Sequence, residues 1–443
     1  MIAILQVLRD PKQYKELNYV LEGKRYKEKF LSFAIRGWLN DGDVIFLVPD
    51  SLVTRIGESC DEIYELLKDE KKLATRIADM FDEEVDCIVL PSVGVYTANN
   101  CTVQFKGSIE NTIVRIFKEL IKRDVKEIFA DVSTGQNIYT TAMVEALRKY
   151  LTYKKLGNLL QGEESVSVKI AYVPPVVVKD QETHVELHDL NVKAFFDLPK
   201  CNPRNLSRDG KVNGEVCKKY NEFFRNLSHT LSNLKVAFNS IKYNTPLVLY
   251  QPESVNLDLD DDINMKVRKY IEVIEDLENR KSVTFNDGVI EVKRFAMVER
   301  DITNTFFALA LMSSIIRFVK DNIREPELDE IFATFENLYN NLKLELNTKF
   351  LDRDIRNIKR VAKDLTGEKL LSELYKDYDV EEFEEKGKED KKESDQERNF
   401  FAHSGFLREI TRIRKEGEKV YVRYDLDEMK RKSIKIRKWL EDK

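Results

Sequence analysis

"EIFADVSTG", residues 127–135, decides how the first part of this 443-residue chain folds. Its opening residues are almost continuously apolar rather than alternating. That pattern predicts a strand covered on both faces, as in a parallel sheet. Four further stretches share it: "IAILQVL" (2–8), "DVIFLVP" (43–49), "DCIVLPSVG" (86–94) and "VSVKIAYVPP" (166–175). Helical stretches fall between them, around 25–39, 57–80, 109–122 and 137–151. The β-α-β-α order predicts a Rossmann-like α/β domain with a parallel-rich, doubly wound sheet over residues 1–178.

The second half of the opening stretch carries chemistry. In "DVSTGQN" a strand ends at Ser133, Thr134 and Gly135, and a helix opens at Gln136 and Asn137. Open α/β sheets bind ligands at the carboxyl ends of their strands. Gly135 permits a tight turn, Asn137 is a helix cap, and free N–H groups at a helix start favour an anion such as phosphate. The stretch is neither G-x-G-x-x-G nor a G-x-x-x-x-G-K-S/T loop, which disfavours an ordinary dinucleotide or ATP site. Alone, it reads rather as a well-capped turn without a ligand. Two more polar loops belong on the same rim, one with Arg9, Lys12 and Gln13 and one with Gly94 and Asn99. Three polar loops around one crevice favour a ligand.

Composition narrows the class. The net charge of −5 excludes a generic nucleic-acid sponge, so any RNA contact is local. Residues 377–397 are a mixed, mostly acidic run, and the balance turns basic from Arg408 to Lys443. The wealth of Lys, Glu and Ile beside scarce Gln leans towards a thermophile. No signal-peptide pattern and no run of eighteen apolar residues is present, which predicts a cytoplasmic protein with no membrane partner. Cys60, Cys87, Cys101, Cys201 and Cys217 show no C-x-x-C spacing and read as reduced, buried thiols. No metal is expected, because too few ligands cluster. His184 and His188 are spaced i, i+4 in a probable connection without a third ligand.

Beyond 178 the pattern changes. Residues 176–213 read as an irregular connection, and helices follow near 214–241, 259–280, 296–322, 325–350 and 354–376. "SVTFNDGVIEV" (282–292) carries an Asp287-Gly288 hairpin signal. This predicts a helical adaptor with a β-hairpin over 179–300 and an all-α domain over 301–443. Within the latter, 377–397 reads as a flexible loop or a frayed helix end, 409–426 as a basic hairpin, and the chain end as a short helix anchored by Ile434, Ile436 and Trp439.

"RNFFAH" (398–403) is the second chemical motif. Arg398 and His403 are five residues apart, so on one straight helix they point about 140° away from each other. Asn399 and His403 share a face. Two such helices facing across a two-fold axis would gather two arginines and two histidines in one cleft. That set suits RNA cleavage, because RNA carries its own 2′-OH nucleophile, histidine moves the proton and arginine steadies the phosphate. Alone, the motif reads equally as a helix end capped near Gly405 with a packed histidine. "RNLSH" (225–229) is a decoy whose Arg225 and His229 read as a helix-surface pair.

Taken together, "DVSTGQN" at a strand end, a helical middle and a C-terminal "RNFFAH" resemble the CRISPR-associated ribonucleases that join a CARF domain to a HEPN domain, ancillary effectors of type III systems. The resemblance spans the whole chain in domain order. It implies a CARF domain that dimerises and binds a cyclic oligoadenylate, with cyclic tetra-adenylate as activator and no cofactor. It implies a HEPN domain that cleaves single-stranded RNA without a metal, in a homodimer or an assembly of dimers. Arg398 and His403 match the family's R-x4–6-H pattern, with Asn399 in its polar next position; Ser133 to Asn137 match the ligand loop. A competing reading is a nucleotide-sensing DNA-binding transcriptional regulator with 282–292 as a wing; the net charge and the lack of a basic recognition helix beside the hairpin weigh against it.

Overall fold

In the computed structural model, residues 1–98, 101–135, 137–162, 166–174, 182–377 and 393–443 are described. The strands run β1 (Ile2–Val7), β2 (Leu17–Leu21), β3 (Lys24–Glu28), β4 (Asp43–Pro49), β5 (Asp86–Leu90), β6 (Gly94–Ala98), β7 (Cys101–Lys106), β8 (Glu127–Asp131), β9 (Ser167–Tyr172), β10 (Glu182–His184), β11 (Glu186–Asp189), β12 (Ser282–Asn286), β13 (Val289–Lys293), β14 (Glu368–Leu370), β15 (Thr411–Glu416) and β16 (Lys419–Tyr424). The main sheet has the order β11-β9-β8-β1-β4-β5. Its first five strands in sequence, β1, β4, β5, β8 and β9, are parallel, and β11 closes the edge antiparallel to β9. The strand order therefore reverses at β1, which places a crevice at its carboxyl end. Alternate residues explain the apolar runs. Ala3, Leu5 and Val7 face one core, with Phe117 and Met143, whereas Ile4 and Phe46 face the other, with Phe33 and Phe81 beside it.

Local chemistry redraws several expected helices. Residues 25–28, expected within a helix, belong to β3, which forms a hairpin with β2. Its turn places Glu22 at φ 46° and Gly23 at φ 80°, and two consecutive positive φ values give a turn that matches strand twist. The helix there is Leu31–Leu39. The expected 57–80 helix is two, Cys60–Lys68 and Glu70–Ala78. Between them, the Asp69 carboxylate accepts from the N–H groups of Lys71 and Lys72 and starts the second helix afresh. The expected 325–350 helix stops at Leu342, because Lys343 turns left-handed at φ 59°, and a new helix runs Glu345–Val361.

The hairpin at 282–292 forms as the Asp287-Gly288 pair predicts, but its place differs from expectation. β13 pairs parallel with β7, Ile290 beside Val103 and Val292 beside Phe105, in a sheet of order β12-β13-β7-β6. The hairpin is stitched to the N-terminal region and does not stand free as a wing. Its apolar residues explain this: Ile290, Val292, Val103 and Phe105 are all buried in one core. The expected irregular connection also contributes structure. β10 and β11 lie beyond residue 178 and pair with β2 and β9.

Among the described residues, one helix, Glu299–Asn322, is long and apolar enough by composition to cross a membrane, but most of it is packed within the protein. Phe306 meets Phe117 of helix Ile109–Arg123 at 5.5 Å and Tyr270 of helix Ile263–Glu278 at 5.1 Å. It thus joins the N-terminal sheet's helices to the helical middle. The C-terminal region is not all-α. β14, β15 and β16 form a small antiparallel sheet, with the basic hairpin turning at Gly417, φ 60°. Residues 378–392 of the charged run lie outside the described residues. Ile434, Ile436 and Trp439 are buried, with Trp439 against Phe400 at 5.7 Å.

Candidate active site and ligand cleft

The crevice at the end of β1 is built by three loops. After β1, Arg9 stacks over the Tyr14 ring at 4.6 Å, and Asp10 caps a short turn by accepting from the N–H of Lys12 at 3.1 Å. The Gln13 amide donates to Asp10 at 3.3 Å. After β8, the buried Asp131 carboxylate accepts from the Ser133 N–H at 2.7 Å. Burial pushes that carboxyl up to about 6, against the pull of the Ser133 hydrogen bonds and the Arg9 charge. Ser133 Oγ accepts from the Val173 N–H at 2.8 Å and pins the loop to the end of β9. The Thr134 hydroxyl is buried without a hydrogen-bond partner among the described residues. Gly135 adopts φ 75° with open space where a side chain would lie. A cleft of about 280 Å³ opens here, lined by Arg9, Gln13, Ser51, Arg55, Tyr96 and Thr134 among others.

The wall of this cleft is tied to the helical middle by ion pairs. Asp50, next to Ser51, accepts from the Ser92 N–H at 2.9 Å and pairs with Arg294 at 2.5 Å. Arg294 lies 3.6 Å from Glu70, which also pairs with Arg115 and Lys281. Arg115 and the buried Lys118 both reach Glu278, at 2.9 and 2.7 Å. Burial alone would raise the Glu70 carboxyl, but Arg115, Lys281 and Arg294 outweigh it and bring it from 4.5 down to about 2. A carboxyl depressed on folding adds stability above its unfolded value and loses it as pH falls through the folded one. Thermal melts between pH 4.5 and 2 are therefore expected to fall less steeply for Glu70→Gln than for the parent chain.

The second site lies in the C-terminal region. Helix Glu393–Ala402 is anchored by Phe400, which is fully buried, and by Phe401, whose ring meets Tyr243 at 5.8 Å. The phenylalanines are thus packing anchors for the motif. Just past the helix, Ser404 and Gly405 turn left-handed, at φ 50° and 80°, and the Gly405 N–H donates to the Phe400 carbonyl at 2.9 Å. A Cβ on Gly405 would come within 3.0 Å of Thr245 Cβ. This turn presents His403, about one-third exposed, to a cleft of about 240 Å³. Arg353, Asp354, Asn357, Arg360, Tyr375 and Arg408 line it with His403. Arg408 stacks on the Tyr375 ring at 3.9 Å. Three arginines around one imidazole suit a polyanion.

The structure brings Arg9, Gln13, Thr134 and Gly135 together in one cleft, with Ser133 and Asn137 on the same loop and helix start. Gln136 lies outside the described residues, as does Asn99. Gly94 opens β6 and does not line the cleft; Tyr96, two residues on, does. Sequence reading passed over Ser51, Thr54 and Arg55, although they follow β4, the strand next to β1. At the other site, Arg398 and Asn399 are exposed and Arg398 does not line the His403 cleft. Arg353, Asp354 and Arg360 carried no signal beyond polar spacing on an amphipathic helix. The decoy is a helix-surface group: His229 sits 3.4 Å from the Asn233 amide on its own helix. His188 lies 3.1 Å from Glu186 on the exposed β11.

Two family models match the chain. CRISPR system endoribonuclease Csx1, CARF domain, matches residues 3–174, and CRISPR system endoribonuclease Csx1, HEPN domain, matches residues 344–428. No curated protein matches it. The first match covers the crevice with Arg9 and Thr134; the second covers Arg398, His403 and the arginine-lined cleft. Sensor fold, helical middle and nuclease fold stand in one order, and the chain belongs to the CRISPR-associated ribonucleases that join a CARF domain to a HEPN domain.

Proposed function

We propose that this protein is a cyclic-oligoadenylate-activated, metal-independent endoribonuclease of type III CRISPR antiviral defence. The observation that carries the reading is the split of the "RNFFAH" motif. His403, just past the helix, enters an arginine-lined cleft, whereas Arg398, on the helix Glu393–Ala402, stands exposed outside it. A second copy of the chain across a two-fold axis unites the two groups. Leu346 and Phe350, one helical turn apart on helix Glu345–Val361 and both exposed, offer an apolar seam beside that cleft. In the paired site, His403 takes the proton of the RNA 2′-OH, and the 2′ oxygen attacks the adjacent phosphorus. Arg398 steadies the added negative charge. The bond to the 5′ oxygen breaks, that oxygen takes up a proton returned through solvent from the His403 imidazolium, and a 2′,3′-cyclic phosphate remains.

At the other end, a ring of phosphates and adenines fits a symmetric cleft formed by two copies of the β1 crevice. The unpartnered Thr134 hydroxyl and the Arg9 guanidinium supply donors for it. Ligand that binds the active pairing more tightly shifts the population towards it. Cleavage of labelled single-stranded RNA in EDTA is expected to rise at least about ten-fold on adding cyclic tetra-adenylate. Thr134→Val is expected to move that rise to higher activator concentration. Activity that EDTA removes, or that no cyclic oligoadenylate changes, sinks the respective half of the reading.

A further inference from the structure

We propose that Asp354 is the positioning residue for the His403 imidazole, held in place from the helical middle through Ser404 and Asn244. This rests on His403 being the proton acceptor proposed above. Asp354 projects from helix Glu345–Val361 and is 5% exposed. Among the described residues lining the His403 cleft it is the one acidic group. Its Oδ1 lies 3.9 Å from His403 Nδ1. That is an ion-pair distance rather than a hydrogen bond, so the attraction grows when the imidazole takes a proton.

The other carboxylate oxygen is fixed. Oδ2 accepts from Ser404 Oγ at 2.6 Å, and Ser404 Oγ accepts from the Asn244 side-chain amide at 2.9 Å. All three residues are buried. Asn244 follows helix Asn221–Lys242, so the turn after His403 is gripped by an element remote from its own helix. The Gly405 carbonyl is held too, accepting from Tyr424 OH at 3.0 Å. A carboxylate beside Nδ1 orients the ring so that Nε2 is the edge left for the 2′-OH, and it stabilises the imidazolium that forms. The other charged or titratable groups around the cleft are Arg353 and Arg360 from the same helix, Tyr375 from helix Leu371–Asp377, and Arg408 beyond the motif. Arg353 also donates to Asp354 Oδ1 at 3.2 Å, which leaves the carboxylate shared between a fixed cation and the imidazole.

The test is steady-state RNA cleavage by the full chain with activator, with kcat and KM read separately. Asp354→Asn is expected to lower kcat about 10- to 100-fold with KM within about two-fold. Ser404→Ala keeps the carboxylate but removes its anchor, and is expected to lower kcat about three- to ten-fold with KM unchanged. If His403→Ala is inactive while Asp354→Asn keeps the parent kcat, or loses it only through KM, this inference alone falls. If His403→Ala is active, the nuclease assignment falls with it. Should Asp354→Asn not fold, an unchanged kcat in Ser404→Ala overturns the positioning role.

Discussion

His403→Ala is expected to cleave labelled single-stranded RNA about a thousand-fold more slowly than the parent chain at saturating activator. Its thermal melt is expected to stay close to the parent's. The first expectation follows from chemistry: a positioned proton acceptor supplies about two to four orders of magnitude in rate. The second follows from packing. The helix that carries the motif is fixed by Phe400 and Phe401, and the turn after it by Ser404 and Gly405, not by the partly exposed imidazole. Cleavage assays and melts on the same preparation check both. Parent-level activity in this variant removes the proposed mechanism. Lost activity with a collapsed melt would assign His403 a structural task instead.

Arg398→Ala is expected to lower kcat about a hundred-fold, and Arg398→Lys to recover little of it. The Arg398 side chain is exposed and makes no hydrogen bond or ion pair with another described residue, so its removal leaves no orphaned partner among them. A large loss of rate from so exposed a residue is hard to explain unless it works against another copy. Co-expression of Arg398→Ala and His403→Ala subunits makes the point sharper. If one copy's arginine serves the other's histidine, mixed dimers retain an intact pair and recover part of the parent rate. No recovery in isolated mixed dimers means the two groups act within one protomer.

Much of the fold was readable because the main sheet's strands announce themselves. Residues such as Ile4, Leu5, Phe46 and Leu47 are buried on alternating faces, so no polar position interrupts the run. The β2–β3 hairpin was hidden because its turn uses Glu22, a residue seldom found at positive φ. The pairing of β13 with β7 joins residues far apart in sequence, and periodicity carries no information about partners. Breaks at Asp69 and Lys343 turn on single caps inside otherwise continuous helical patterns. The nuclease site was half legible. His403 stood in a spaced motif, whereas Arg353, Asp354 and Arg360 sit on a helix whose polar face looks like ordinary surface. In the sensor crevice, the loop after β8 was legible from its Ser-Thr-Gly ending. The loop after β4 was passed over because its apolar flanks mask Ser51 and Arg55.

The seam between β7 and β13 makes the N-terminal unit incomplete as a stretch of chain. A fragment cut near residue 178 keeps β6 and β7 but loses β12 and β13. It would bare a row of unpaired amides along β7 and uncover Val103 and Phe105, an invitation to stick to its own copies. Sensor and hairpin therefore have to be made, purified and inherited together, and the modular look of the sequence overstates how freely its parts could be exchanged.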